Sequence, residues 1–405
     1  MDEDRTIRPE EIGGWAAQLG VGFHFEVKPG LSDYFLSTID LERTWASFDD
    51  DRVVGTLRSF PTELTVPGSQ QIRASALTSV TVAPTHRRQG RLTRMMEADL
   101  CASVERGEAV SILIASEYPI YVRFGYGPAA YSARYSMLKR EMRFRDPAIG
   151  SVELSDRAAL RREGPALYDR FRIEQPGSIE RTADHWDRST RQVEVPGDEP
   201  AKGQVVLYRS ESGALEGYAV YEAKQDWDGM RAQGTLRLQE LLGVTPEAYR
   251  ALWGYCSGID LLTTIDATLR PTDEQLPFML QDARAVKLEA KFDFLWVRVL
   301  DVCAALSGRT YAVRARLVIE VIDELGIAGG RYALDGGPEG AECVPTKDSA
   351  ELTVPVASLG SLLLGGVAAR TLGLAGLVTE LQRGAISKAD VLFRTSRAPW
   401  CNTWF

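Results

Sequence analysis

Val80-Thr81-Val82-Ala83-Pro84-Thr85-His86-Arg87-Arg88-Gln89-Gly90-Arg91-Leu92-Thr93 is the stretch on which the reading of this chain turns. Residues 79–82 are rich in β-branched side chains and read as a strand. Residues 83–90 are a polar loop ending in glycine. Leu92, Met95, Met96, Leu100 and Val104 then fall on one helical face. Residues 109–115, AVSILIA, have the length of a buried parallel strand. Strand, glycine loop, helix and strand make a βαβ unit, so Val82 and Leu113 are expected in one sheet. The loop suits a pyrophosphate. Backbone N–H groups at a helix start carry the positive end of the helix dipole. Gly90 lets phosphates approach without a Cβ in the way, and Arg88 and Arg91 can add charge at the rim. A plain basic loop capping a surface helix would show the same pattern.

Working outward, residues 52–60 read as a strand, and Pro67-Gly68 as the turn into another that runs toward Leu77. From about residue 150 the character changes. Helical patterns at 157–170 and 179–187 precede strand-like runs at 204–208, 216–222 and 235–241. A helix is expected from Pro246 and a strand at 261–264. This repeats the α/β alternation without a basic glycine loop. The last region begins with a strand at 294–300 and contains an apolar, glycine-rich helix from Val356. A helix at 387–393 follows, with Ser387 as its cap, and the chain ends in an extended tail. The expected domains are 1–150, 151–290 and 291–405.

The bulk numbers agree. A chain of 405 residues exceeds one ordinary core. A net charge of -9 argues against nonspecific nucleic-acid binding. Five scattered cysteines without a CxxC pair, and three histidines, give no expected metal site, and the cysteines read as small apolar fillers. The acidic N-terminus does not read as a signal peptide. Residues 356–377 hold five glycines and an arginine and make a poor membrane span. A cytoplasmic protein is expected.

A second motif gives these features a family. Ala115-Ser116-Glu117-Tyr118-Pro119-Ile120-Tyr121-Val122-Arg123-Phe124-Gly125-Tyr126-Gly127-Pro128 closely resembles a segment of the Eis (enhanced intracellular survival) acetyltransferases. The pattern V-x-V-x-P-x-x-R-R-x-G of residues 80–90 resembles the acetyl-CoA signature of the GNAT superfamily. The resemblance implies tandem GNAT-like α/β (α+β) domains, each a mixed sheet flanked by helices, and then a sterol-carrier-like domain. It implies that Val80, Thr81 and Val82 hold the thioester arm and that Arg88, Gln89, Gly90, Arg91, Leu92 and Thr93 cradle the pyrophosphate. Leu92 departs from the usual small residue. Ser116 and Glu117 match positions that touch acetyl-CoA near the thioester.

The same resemblance makes Tyr121 the general acid, with Tyr126 as its rival in the motif. It makes the main-chain carboxylate of the terminal Phe405 the general base. Trp400, Trp404 and Phe405 give the tail apolar anchors, against the ordinary fraying of a chain end. The implied reaction is direct acetyl transfer from acetyl-CoA to a primary amine. Aminoglycosides and lysine side chains are the family's acceptors, and a homohexamer is implied. The tail has no acidic side chain to meet a polycation. Two other readings use the same residues: a non-enzymatic carrier of an apolar ligand, with residues 356–377 lining its cavity, and an oligomer built on a decayed acetyltransferase domain.

Overall fold

The structure is a computed structural model that describes residues 3–198 and 202–405. The first region comprises β1 (Glu3–Thr6), α1 (Ile12–Phe23), α2 (Leu31–Thr38), β2 (Thr44–Asp49), β3 (Arg52–Val66) and β4 (Gln70–Val82). It continues with α3 (Arg91–Glu105), β5 (Val110–Ile114), α4 (Tyr118–Tyr121) and β6 (Gly127–Leu138). The expected βαβ unit is β4–α3–β5, with β4 and β5 parallel neighbours. Leu57, Leu77, Met95, Leu100 and Leu113 pack between α3 and the sheet, which is why α3 lies where its apolar face predicts.

The middle region repeats the plan. It contains β7 (Ser151–Ser155), α5 (Arg157–Ile173), α6 (Ala183–Ser189), β8 (Gln204–Arg209) and β9 (Leu215–Lys224). A short ribbon, β10 (Trp227–Asp228) and β11 (Arg231–Ala232), leads to β12 (Gly234–Gly243). Then come α7 (Pro246–Gly258), β13 (Leu262–Arg270), α8 (Leu276–Met279) and β14 (Val286–Val299). Here β12–α7–β13 is the parallel unit, sealed by Leu236, Leu241, Leu252, Trp253, Cys256 and Ile265.

The two units share one sheet of twelve strands, in the order β1-β2-β3-β4-β5-β14-β6-β13-β12-β9-β8-β7. β14 lies antiparallel between β5 and β6. The strand expected to open the last region is therefore a central member of the large sheet, and the boundary expected near 290 falls inside it. Its last six residues are buried, as the apolar run implies, but their partners are strands of the first region.

The last region has α9 (Val302–Ser307), β15 (Ala315–Ile322), β16 (Gly330–Gly337), β17 (Gly340–Pro345) and β18 (Leu352–Pro355). It closes with α10 (Val356–Leu363), α11 (Ala369–Leu374), β19 (Thr379–Glu380) and α12 (Ala385–Phe393). A second sheet runs β17-β16-β15-β18-β19. The glycine-rich helix α10 packs directly on β6 and β14. A Cβ at Gly127 would meet the Ala357 carbonyl oxygen at 1.9 Å, and one at Gly360 the Val297 carbonyl oxygen at 2.1 Å. Two expectations are corrected. α12 starts at Ala385 behind Gly384, whose φ of 92° is a left-handed cap, so Ser387 lies inside the helix. Of the cysteines, Cys256, Cys343 and Cys401 are buried, but Cys101 is exposed and Cys303 half-buried.

Candidate active site

The ladder between β4 and β5 covers only Ala74–Val110 to Leu77–Leu113. β4 then bulges. Ser79 has φ 58°, and Ser79 and Val80 together oppose Leu57 as the pairing steps from Thr78–Arg58 to Thr81–Thr56. The two strands part at this point. Thr81 and Val82 stay paired with β3, while their other edge has left β5. The opening holds a cavity of about 480 Å³.

Most of the expected acetyl-CoA residues meet there. Val80, Thr81, Val82, Arg88, Gly90, Arg91, Leu92, Thr93, Ser116 and Glu117 line the cavity, as does Tyr121; Gln89 and Phe405 do not. α3 begins at its rim. Gly90 has φ 78°, and no side chain caps the helix, so the N–H groups of its first turn are left to an incoming acceptor. Arg91 lines the cavity, but its guanidinium turns inward and donates to Ser47 Oγ at 2.9 Å and to the Phe48 carbonyl at 2.8 Å. That charge anchors α3 to β2 instead of sitting at the rim. Arg87 and Arg88 are exposed.

The two tyrosines of the motif differ. Tyr121 lines the cavity, and burial pushes its phenol above the ordinary value; a hydrogen bond with Ser116 pulls the other way. Tyr126 is fully buried, and its hydroxyl is 2.6 Å from Ser111 Oγ. Burial raises its phenol further. The rings meet edge-on at 6.2 Å.

The tail is docked. The Trp400 backbone N–H donates to Pro176 at 2.8 Å and its indole to Leu269 at 3.0 Å. Arg181 donates to the Asn402 carbonyl at 3.0 Å and to Thr403 Oγ1 at 2.9 Å. The Phe405 ring stands edge-on to Phe60 of β3 at 5.7 Å, which brings the last residue to the first region.

Sequence reasoning missed Gly22, Phe23, His86, Arg87, Ile120 and Arg123 as lining residues. His86, Arg87, Ile120 and Arg123 sit inside the two motifs and were within reach. Phe23 ends α1, in a stretch with no clear pattern. The run 356–377 also meets a cavity. Val356, Ser358, Ser361, Leu372 and Leu377 face Tyr118, Val122 and Tyr131 across about 480 Å³. Among the described residues no cluster of His, Cys, Asp and Glu could hold a metal, and no helix is long and apolar enough to cross a membrane.

Comparison with known proteins agrees with this fold. Family models for acetyltransferase (GNAT) domains match residues 3–129 and 177–299, and one for a sterol carrier protein domain matches 302–402. An uncharacterized N-acetyltransferase of Streptomyces avermitilis is 41% identical, over 99% of this chain and 98% of its own. The N-acetyltransferase Eis of Mycobacterium tuberculosis is 36% identical over 84% of this chain and 83% of its own. The crystal structure of Eis1 from Mycobacterium abscessus superposes with a TM-score of 0.88 at 32% identity, covering all of both chains. A GCN5-related N-acetyltransferase from Anabaena variabilis shares the fold, with a TM-score of 0.86 at 20% identity.

Proposed function

Because this chain belongs to the Eis family of GNAT N-acetyltransferases, we propose that it moves acetyl directly from acetyl-CoA to a primary amine, with Tyr121 as general acid and the terminal carboxylate of Phe405 as general base. One observation carries the reading: the parted strands, the uncapped start of α3 and Tyr121 all face one cavity. Acetyl-CoA supplies an activated thioester. The first-turn N–H groups of α3, with exposed Arg87 and Arg88, hold its pyrophosphate. A free backbone N–H on the open edge of β4 donates to the thioester oxygen as negative charge builds there. Tyr121, kept protonated by burial, gives a proton to the departing thiolate.

The amine must lose a proton. An α-carboxylate is ionised at neutral pH, with an ordinary pKa of about 3.5. It is a weak base, so it acts through water or by orienting an amine that is already partly neutral. The docking of the tail, with the Phe405 ring against Phe60 of β3, supports this reading. Residues 151–290 bind no acetyl-CoA on this reading and wall the acceptor side. The family resemblance extends the proposal to a cytoplasmic homohexamer, which light scattering tests by mass.

Adding one glycine after Phe405 keeps every side chain and moves the charge. Turnover is expected to fall at least tenfold, with acetyl-CoA affinity unchanged. Normal turnover in the extended protein removes the terminal carboxylate from the mechanism.

A further inference from the structure

The bulge that opens the acetyl-CoA cavity has to be held in place. Ser79 and Val80 fall between the pairs Thr78–Arg58 and Thr81–Thr56, so the ladder with β3 has no position for them. Pairing with β5 has already ended at Leu77–Leu113. Ser79 also carries φ 58°, a left-handed conformation that residues other than glycine adopt at a cost. Its carbonyl accepts from Thr56 Oγ1 at 2.8 Å.

That bond ends a hydrogen-bond chain with one direction. A threonine hydroxyl has a single proton, and Thr56 gives its own to Ser79. The Thr81 hydroxyl, 2.7 Å from Thr56 Oγ1, therefore donates to it. Thr81 Oγ1 in turn accepts from Gln18 Nε2 of α1 at 3.4 Å. Gln18, Thr56 and Thr81 are all buried, which strengthens a chain of this kind. α1 lies directly on it, since a Cβ at Gly22 would meet Thr81 Cγ2 at 2.3 Å. Gly22 and Thr81 line the cavity; Gln18 and Thr56 do not.

The consequence falls on Val80. Ser79 C=O and Val80 N–H belong to one peptide unit, and no peptide bond among the described residues is cis. In a trans peptide the two groups point in opposite directions. With the carbonyl turned to Thr56, the Val80 N–H turns away from it, and Val80 lines the cavity. We propose that Thr56 is a positioning residue for acetyl transfer, which through the Ser79 carbonyl aims the Val80 N–H at the thioester oxygen. The proposal rests on the acetyl-transfer reading and assigns the aim of its donor to a side chain outside the cavity.

T56V tests it, because valine keeps the shape and removes the proton. In the intact chain the thioester carbonyl stretch of bound acetyl-CoA, read by difference infrared spectroscopy, should lie below its value in water. In T56V it should move back up, with acetyl-CoA affinity by calorimetry nearly unchanged. With hexylamine as acceptor, turnover should fall about tenfold, chiefly in kcat, part of the roughly hundredfold that losing an oxyanion donor outright costs. T56S keeps the proton and should restore both. T56A reads the same quantities should T56V not fold. A stretch that is not lowered in the intact chain, or a stretch or kcat that T56V leaves in place, overturns the proposal. So does a loss that T56S shares, or one seen only as weaker binding and a lower Tm, which would make Thr56 part of the scaffold alone. A lowered stretch that T56V abolishes, in a chain that acetylates no amine, keeps the role of Thr56 and sinks the acetyl-transfer reading instead.

Discussion

The large sheet contains the same fork twice, and the two forks have opposite contents. In each, a strand, a helix and a parallel strand are followed by an early end to pairing, at Leu77–Leu113 in the first and Leu238–Ala267 in the second. The first is open, with a cavity of about 480 Å³ and an uncapped helix at its rim. The second is plugged. Leu269 has φ 56° at the end of β13, and Arg270 reaches back across the gap. It donates to the Leu241 carbonyl at 2.7 Å, to the Tyr249 hydroxyl at 2.6 Å and to Glu274 at 3.2 Å. Trp400 of the tail lies 5.2 Å from that guanidinium. Thr245 caps α7 with its own side chain, accepting from Ala248 at 3.2 Å. Topology is common to both forks. On the proposed function, competence to take acetyl-CoA follows from which backbone donors and which volume the protein leaves unfilled.

Breaking the plug should cost most. The Arg270 and Glu274 side chains are 3% and 2% exposed, and Glu274→Gln leaves the cation buried without its carboxylate. A loss of about 3–5 kcal/mol in denaturant unfolding is expected. Acetyl-CoA affinity at the first fork should hold below the transition. Unchanged stability would mean that the plug is ornamental.

At the first fork, Tyr121→Phe should lower turnover about a hundredfold with acetyl-CoA binding intact, and Tyr126→Phe far less. The alkaline limb that reports Tyr121 should lie above the ordinary phenol range, since burial raises this group, and should vanish in Tyr121→Phe. Near-normal turnover in Tyr121→Phe beside a large loss in Tyr126→Phe would exchange their roles.

The smallest contrast lies at the helix starts. Thr245→Ala removes a cap and should cost about 1 kcal/mol. α3 has no side-chain cap to lose, and acetyl-CoA should instead raise its protection from hydrogen exchange. Protection that acetyl-CoA leaves unchanged would detach α3 from the phosphate.

The first fork was legible because residues 80–93 and 115–128 carry backbone geometry in their residue types: a glycine at a left-handed turn, a proline, a β-branched strand. The plug was not. Arg270 and Glu274 stand four apart with nothing in the local sequence to mark them as buried, and the fold buries both. β14 was read as a strand but not placed, because an apolar run names no partner and its pairing with β5 spans nearly two hundred residues. α1, IGGWAAQLGVGF, carries four glycines in twelve residues, which weakened its helical signal. Arg91 looked like rim charge, and only the closeness of β2 turns it inward.

Titration calorimetry with acetyl-CoA tests the central claim most directly. The intact chain should bind one molecule per chain. Gly90→Asp, which sets a carboxylate where the phosphates should lie in a backbone conformation that Asp tolerates, should abolish that binding while the fold survives. Two molecules per chain, or one retained in Gly90→Asp, would contradict an open first fork and a closed second.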